Sequence, residues 1–313
     1  MSPRYAPAPA FAAATSFFGY LTVTKIRSFA KINWTLDVLF KREDGFHELR
    51  TIYQTVSLHD RLHITETEGA IEVVCEDRRV PCGETNLVFK AATLLREAAD
   101  VRKGARIEID KRIPVAAGLG GGSSNAGVTL LALASLWKVN VDEAGLIRIA
   151  AALGSDVPFF LIGGTALGVG RGEEVYPLEQ VQVGELLLVN PGIPVSTRDA
   201  YERLSRLTRS GSALNIPFTL LAAKGIREQP LLTGNDLEEA VLAVHPEIAE
   251  VKRRLSSLGA RQVQMSGSGA TVFGIFDNSQ MTEHAEAEMR ALGCWAQRVR
   301  TVDRHEYHAT IFQ

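Results

Sequence analysis

Gly118-Leu119-Gly120-Gly121-Gly122-Ser123-Ser124 stands between a segment that alternates like a strand and one that is apolar on most sides. Upstream, Arg106 to Lys111 alternates polar and apolar residues, and Ile113-Pro114 closes that strand. Downstream, Val128, Leu130, Leu131, Leu133 and Leu136 predict a buried helix from about Asn125 to Trp137. Glycine has no Cβ to hold a ligand away from the backbone, and it reaches positive φ at little cost. The first amides of a helix lack intrahelical acceptors and lie at the positive end of its dipole. A strand that turns through four glycines into a helix is therefore a device for binding phosphate. Two better-known versions do not fit: no Lys-Ser/Thr ends a Walker loop, and position 123 is Ser where a dinucleotide fingerprint needs Gly. The competing reading is a glycine turn that merely joins tightly packed elements.

Working outward, Val23 to Phe40 alternates. Ala30, Ile32, Trp34 and Leu36 share one parity, and Lys31, Asn33, Thr35 and Asp37 the other, which predicts a strand with one buried face. Asp44-Gly45 supplies a turn, and a second strand is expected from Arg50 to Leu58. Short strands are expected at Ile71 to Cys75 and at Glu185 to Asn190, and another from Trp295 to Val302. Helices are expected over Thr85 to Ala99, with Thr85 or Asn86 as N-cap, and over Val141 to Leu153. The chain reads as mostly helical from Asn190 to Leu258, followed by a strand–turn–strand from Gln262 to Phe276 and a helix from Met281 to Leu292. This mixture lacks regular βαβ alternation and favours α+β. Glycine-dense Gly163 to Gly172 is the expected seam, dividing the chain into 22–170 and 171–313. Residues 1–21, rich in Ala and Pro, read as a flexible extension rather than a secretory signal, since Thr15 and Ser16 interrupt the apolar stretch.

The chain has 313 residues, 46% hydrophobic and 22% charged, with Lys plus Arg 34 against Asp plus Glu 36. A net charge of −2 argues against a nucleic-acid or membrane partner, either of which favours a basic excess. Cys75, Cys82 and Cys294 are too few and too scattered for a disulfide framework or a four-ligand zinc site, and fit a reducing, cytoplasmic compartment. His59 and His63 lie in a segment that reads as strand (Leu58 to Thr65), where a four-residue interval makes no chelate.

Locally, the Lys31 and Asn33 face reads as solvated, and Asp156 in Gly154-Ser155-Asp156-Val157-Pro158 reads as an N-cap. Phosphoryl transfer to an alcohol, however, requires a carboxylate to orient or accept the hydroxyl proton and a cation to offset phosphoryl charge. Asp156 and Lys31 supply that pair. Phe46, His47 and Tyr53 gather aromatic and imidazole groups near one turn, a platform for a flat ring. Ser266-Gly267-Ser268-Gly269 reads in isolation as a hairpin turn, and functionally as a second backbone wall near the phosphates.

Three motifs in order now carry a resemblance. Pro114 to Ala126 resembles the central phosphate-binding motif of the GHMP kinases, Phe29-Ala30-Lys31-Ile32-Asn33 their first motif, and Ser266-Gly267-Ser268-Gly269-Ala270 their third. Asp44-Gly45-Phe46-His47, the triple glycine 120–122 and Gly154 to Phe160 narrow it to the branch that phosphorylates cytidine-diphospho-methylerythritol on the methylerythritol phosphate route to isoprenoid precursors. The resemblance implies an α+β fold of two domains. The N-terminal one is ribosomal-protein-S5-domain-2-like with a left-handed βαβ crossover, the C-terminal one is ferredoxin-like, and catalysis lies between them.

The resemblance also implies an ATP-dependent phosphotransferase, cytoplasmic, a monomer or weak homodimer, with Mg2+ travelling on the nucleotide and its ligands unassigned. Asp156 and Lys31 match the family's catalytic pair, and Asn33 a residue near the acceptor hydroxyls. Phe46 and His47 match the cytidine-binding turn, with Tyr53 in the same pocket. Phe46 stands where relatives often have Tyr. Asn86, Leu87 and Lys111 match positions beside the adenine. Pro114, Val115, Ala116, Ala117, Gly118, Leu119, Gly120, Gly121, Gly122, Ser123 and Ser124, with Gly267 and Ser268, match the walls around the phosphates. The alternatives are a GHMP kinase acting on homoserine or mevalonate, and a non-catalytic nucleotide-binding module on the same fold.

Overall fold

The computed structural model describes residues 23–206 and 234–312. The expected extension at 1–21 and part of the expected helical stretch, 207–233, lie outside the described residues.

Strand β1 (Val23–Lys41) pairs antiparallel with β2 (His47–Thr67) along almost its whole length, with Asp44-Gly45 in the turn and Gly45 at φ +87°. The two strand segments expected at 50–58 and 58–65 are thus one strand. Register shifts at Phe29/Ala30, Asn33/Thr35 and Val38/Phe40 let so long a hairpin bend without breaking. Strands β3 (Ile71–Cys75) and β4 (Gly104–Asp110) run parallel, connected through helix α1 (Leu87–Ala98). The first sheet has the order β3-β4-β2-β1-β8, where β8 (Gly234–Asn235) lies parallel to β1. The glycine-dense stretch expected as a seam is instead strand β5 (Thr165–Gly170), paired to β2 and extended by β6 (Glu174–Pro177). Glycine density alone cannot separate a linker from a strand packed closely against a large side chain.

Helix α2 (Gly121–Leu136) covers this sheet and begins four residues earlier than expected, because Gly120 adopts the left-handed conformation and caps it. Its apolar residues bury on nearly all sides, as the sequence predicted. Helices α3 (Glu143–Leu153) and α4 (Phe159–Ile162) follow.

The second sheet contains β7 (Leu186–Asn190), β9 (Gln262–Met265), β10 (Val272–Ile275) and β11 (Trp295–Val299) in the antiparallel order β11-β7-β10-β9. Helices α5 (Thr197–Arg206), α6 (Leu237–Leu242) and α7 (Pro246–Ser257) connect β7 to β9, and α8 (Ser279–Ala291) connects β10 to β11. That chain order and strand order are the ferredoxin-like arrangement expected. The sheets meet through the apolar face of β1: Ile32 and Trp34 pack with Leu186, Leu188 and Phe273, and Trp34 meets Phe273 edge to face at 5.5 Å. Helix α9 (Arg304–Thr310) returns to the first core, where Tyr307 is fully buried.

Candidate active site

With its apolar face against the second sheet, β1 turns Lys31 and Asn33 toward the glycine loop. They are buried rather than solvated, at 4% and 1% exposure. A burial this deep needs partners for every polar atom. Thr51 donates its one hydroxyl proton to the Thr35 carbonyl at 2.6 Å, so its oxygen accepts from the Asn33 amide nitrogen at 2.7 Å. The Asn33 oxygen is thereby aimed at Lys31, which donates to it at 2.7 Å. Lys31 Nζ also lies 3.3 Å from an Asp156 carboxylate oxygen. The other Asp156 oxygen accepts the Tyr53 hydroxyl at 3.0 Å. Burial and the Asp156 charge raise the Tyr53 phenol well above the usual tyrosine range.

Asp156 is not the N-cap that its local sequence suggested. Pro158 occupies the cap of α4 without a side-chain bond, which leaves the Asp156 carboxylate in the ion pair with Lys31.

The glycine loop is anchored on both flanks. Lys31 N donates to the Leu119 carbonyl at 3.0 Å, and Ser266 Oγ to the Gly118 carbonyl at 2.9 Å. The second glycine turn is held in turn by Asn235, whose amide nitrogen donates to the carbonyls of Met265 and Gly267. The turn of residues 266–269 is therefore packed against the first loop, beyond what an isolated hairpin requires.

Two cavities meet at this loop. One, of about 1040 Å³, is lined by Lys31, Asn33, Phe46, His47, Tyr53 and Asp156 and by Gly267 and Ser268. The other, of about 320 Å³, is lined by Asn86, Leu87 and Lys111 and by loop residues from Pro114 to Ser123. Ala116, Gly118, Gly120 and Ser123 belong to both walls. Two of the expected residues face neither cavity: Leu119 is buried in the apolar core, and Ser124 donates its hydroxyl to the Phe29 carbonyl.

Lys111 lines the smaller cavity, but its ammonium is committed to Asp60 at 2.7 Å and to the Ile113 carbonyl at 2.6 Å. Asp60, which sequence reasoning missed, is fully buried and accepts the amides of Arg112 and Ile113 as well. This pair sets the bend into Pro114. Asn86 is likewise engaged, capping α1 through Val88 N and bracing the Pro81 carbonyl.

Tyr201 on α5 was also missed. Its ring stacks on His47 at 5.2 Å and 21°, and both rings line the larger cavity. Only the apolar spacing Ala200, Leu204 on α5 hinted at which face turns inward. Burial, then the Lys41 charge, lower the His47 imidazole below its ordinary range. Phe46 is half exposed, with the Arg171 guanidinium 4.9 Å above its ring. Among the described residues, no group of three or more His, Cys, Asp or Glu side chains converges as a metal site, and no helix is long and apolar enough to cross a membrane.

Residues 86–164 match the family "GHMP kinases N terminal domain" and residues 220–293 "GHMP kinases C terminal". A curated 4-diphosphocytidyl-2-C-methyl-D-erythritol kinase of Syntrophus aciditrophicus is 42% identical over 273 residues, covering 87% of this chain and 96% of its own. The chain belongs to the GHMP kinases. A second curated relative of the same name, from Thermoanaerobacter pseudethanolicus, is 39% identical over 281 residues, covering 90% of this GHMP kinase and 96% of itself. A crystal structure of a 4-(cytidine 5'-diphospho)-2C-methyl-D-erythritol kinase superposes with a TM-score of 0.73 at 37% identity, over 88% of this chain and 98% of that one. Homoserine kinase from Cytophaga hutchinsonii shares the fold, with a TM-score of 0.70 at 20% identity over 93% and 98% of the two chains. Membership of the family implies use of ATP.

Proposed function

We propose that this GHMP kinase transfers the γ-phosphoryl group of ATP to a hydroxyl of 4-diphosphocytidyl-2-C-methyl-D-erythritol, on the cytoplasmic route to isoprenoid precursors. The observation that carries the reading is the larger cavity, which holds the Lys31–Asp156 pair and, in the same space, the stacked rings of His47 and Tyr201. An acceptor with an alcohol at one end and a flat base at the other matches that layout, and the curated relatives bear that substrate in their name.

The smaller cavity takes the nucleotide, its phosphates facing the free amides at the start of α2. Asp156 accepts a hydrogen bond from the acceptor hydroxyl. As the oxygen–phosphorus bond forms and the bridge to ADP breaks, the hydroxyl proton passes to the carboxylate. Lys31 offsets charge on the transferring oxygens. Mg2+ would travel on the nucleotide phosphates as an ion that keeps much of its shell as water and phosphate oxygen, with the Ser123 hydroxyl, on the wall shared by the two cavities, as the protein group that would hold it. It would supply charge neutralisation on the phosphates.

Incubation with ATP, Mg2+ and a panel of alcohols, followed by phosphorus NMR, tests the reading. The cytidyl compound is the expected acceptor, and the uridyl analogue loses about a hundredfold or more in kcat/KM, because uracil inverts the donor and acceptor edge that cytosine presents. Faster turnover of homoserine or mevalonate would overturn it.

A further inference from the structure

We propose that Tyr53 is a positioning residue for Asp156: its hydroxyl pins one carboxylate oxygen so that the carboxylate plane is fixed toward Lys31 and the acceptor. The inference rests on the kinase reading above and assigns Tyr53 a different task from the substrate contact expected of it.

The need for such a residue is geometric. The last torsion of an Asp side chain is soft and broad, so a carboxylate held at one point can swing. Lys31 offers one contact, at 3.3 Å, from the end of a flexible stem. Tyr53 supplies a second, at 3.0 Å on the opposite oxygen. Two contacts on two oxygens define a plane and leave the remaining lone pairs open to the larger cavity, where Asp156 is 30% exposed.

Tyr53 is itself rigidly placed. It is 2% exposed, and its ring lies 4.9 Å from that of Phe159. Gly168 makes room for it: a Cβ there would come within 2.5 Å of the ring. The hydroxyl has one proton and two acceptors nearby, the Asp156 carboxylate at 3.0 Å and the Gly172 carbonyl at 3.3 Å. The charged acceptor is the stronger. Because burial keeps the phenol protonated, it remains a donor throughout the neutral range. With its hydroxyl turned to protein and its ring enclosed, Tyr53 has little left to offer a substrate.

Tyr53→Phe deletes the hydroxyl and keeps the ring. The expected result is a kcat reduced about tenfold or more, with KM for ATP and for the cytidyl substrate within about twofold, because misaimed catalytic groups lose rate rather than binding. In the free protein, the carboxyl carbon NMR signal of Asp156, assigned with Asp156→Asn, should move in Tyr53→Phe. 3-Fluorotyrosine at position 53, a stronger donor of similar shape, should move it the other way; should Tyr53→Phe not fold, this second variant decides. A raised KM at unchanged kcat would overturn the proposal in favour of substrate contact, as would an Asp156 signal indifferent to either replacement. A wild-type protein inactive toward the cytidyl compound would sink the kinase reading alone, since the carboxyl signal still reports whether Tyr53 holds Asp156.

Discussion

Asp156→Asn lowers the kcat of phosphoryl transfer about a hundredfold or more and leaves ATP-analogue affinity within about threefold. The substitution keeps shape and most hydrogen-bonding capacity but removes the negative charge that makes the side chain a proton acceptor. Lys31 retains its bond to Asn33, so the ammonium is not stranded. Lys31 is buried at 4% exposure, so losing its counter-charge should lower the thermal midpoint by a few degrees, while Asp156, at 30% exposure, lets water screen part of the loss. The fall in turnover should far exceed what that loss of folded protein explains. Steady-state kinetics beside calorimetric titration of a non-hydrolysable ATP analogue would separate the two. A variant with near-normal kcat would mean that the carboxylate only organises its neighbours, and the proposed proton transfer would have to be abandoned.

Gly118→Ala should destabilise the protein by about 3–5 kcal/mol, combining a left-handed backbone with a non-glycine residue and an overlap that cannot relax. Gly118 has φ +76°, and a Cβ on it would run into the Ser266 carbonyl oxygen, with Gly269 backbone atoms close behind. Those are backbone atoms of the second glycine turn, so neither wall can yield without moving the other. The variant should therefore lose nucleotide affinity together with thermal stability. Gly122→Ala provides the contrast. A Cβ there meets only Leu87 Cδ1 at 3.8 Å, within a helix where Ala is favoured over Gly. It should fold at least as well as the wild type and, since Gly122 lines the smaller cavity, weaken ATP binding by steric intrusion. Thermal melts and ATP titration of both variants check this. Equal stability losses in the two would disprove the account of Gly118.

Features encoded over short distances were readable in the chain. The period-two pattern of β1, the Asp44-Gly45 turn, Asn86 as a cap and the glycine loop all express backbone rules within a few residues. The pairing of Lys31 with Asp156 needed more, because they lie 125 positions apart; the chemistry of phosphoryl transfer and the motif resemblance supplied it. What stayed hidden were side chains whose role is set by a distant partner. Lys111 lines the smaller cavity, and no local pattern shows that Asp60, in β2, takes its ammonium. Ser124 belongs to a phosphate-binding motif, yet its hydroxyl serves the Phe29 carbonyl. Gly168 signals a linker by composition, while its lack of a side chain admits the Tyr53 ring. Tyr201 comes from a helix whose sequence gives no hint that it will meet His47.

The return of α9 to the first core has a consequence for biogenesis. Val302, Tyr307 and Ile311 complete that core, the Arg27 amide bonds the Ile311 carbonyl, and the Tyr307 hydroxyl donates to the Phe160 carbonyl at 2.6 Å, four residues from Asp156. A ribosome delivers these segments only after the whole second sheet, although domains tend to fold as they emerge. The half of the nascent polypeptide that carries the first sheet must wait, incompletely sealed, until synthesis reaches Ile311, and a substitution that hinders docking of α9 would be felt at the catalytic carboxylate.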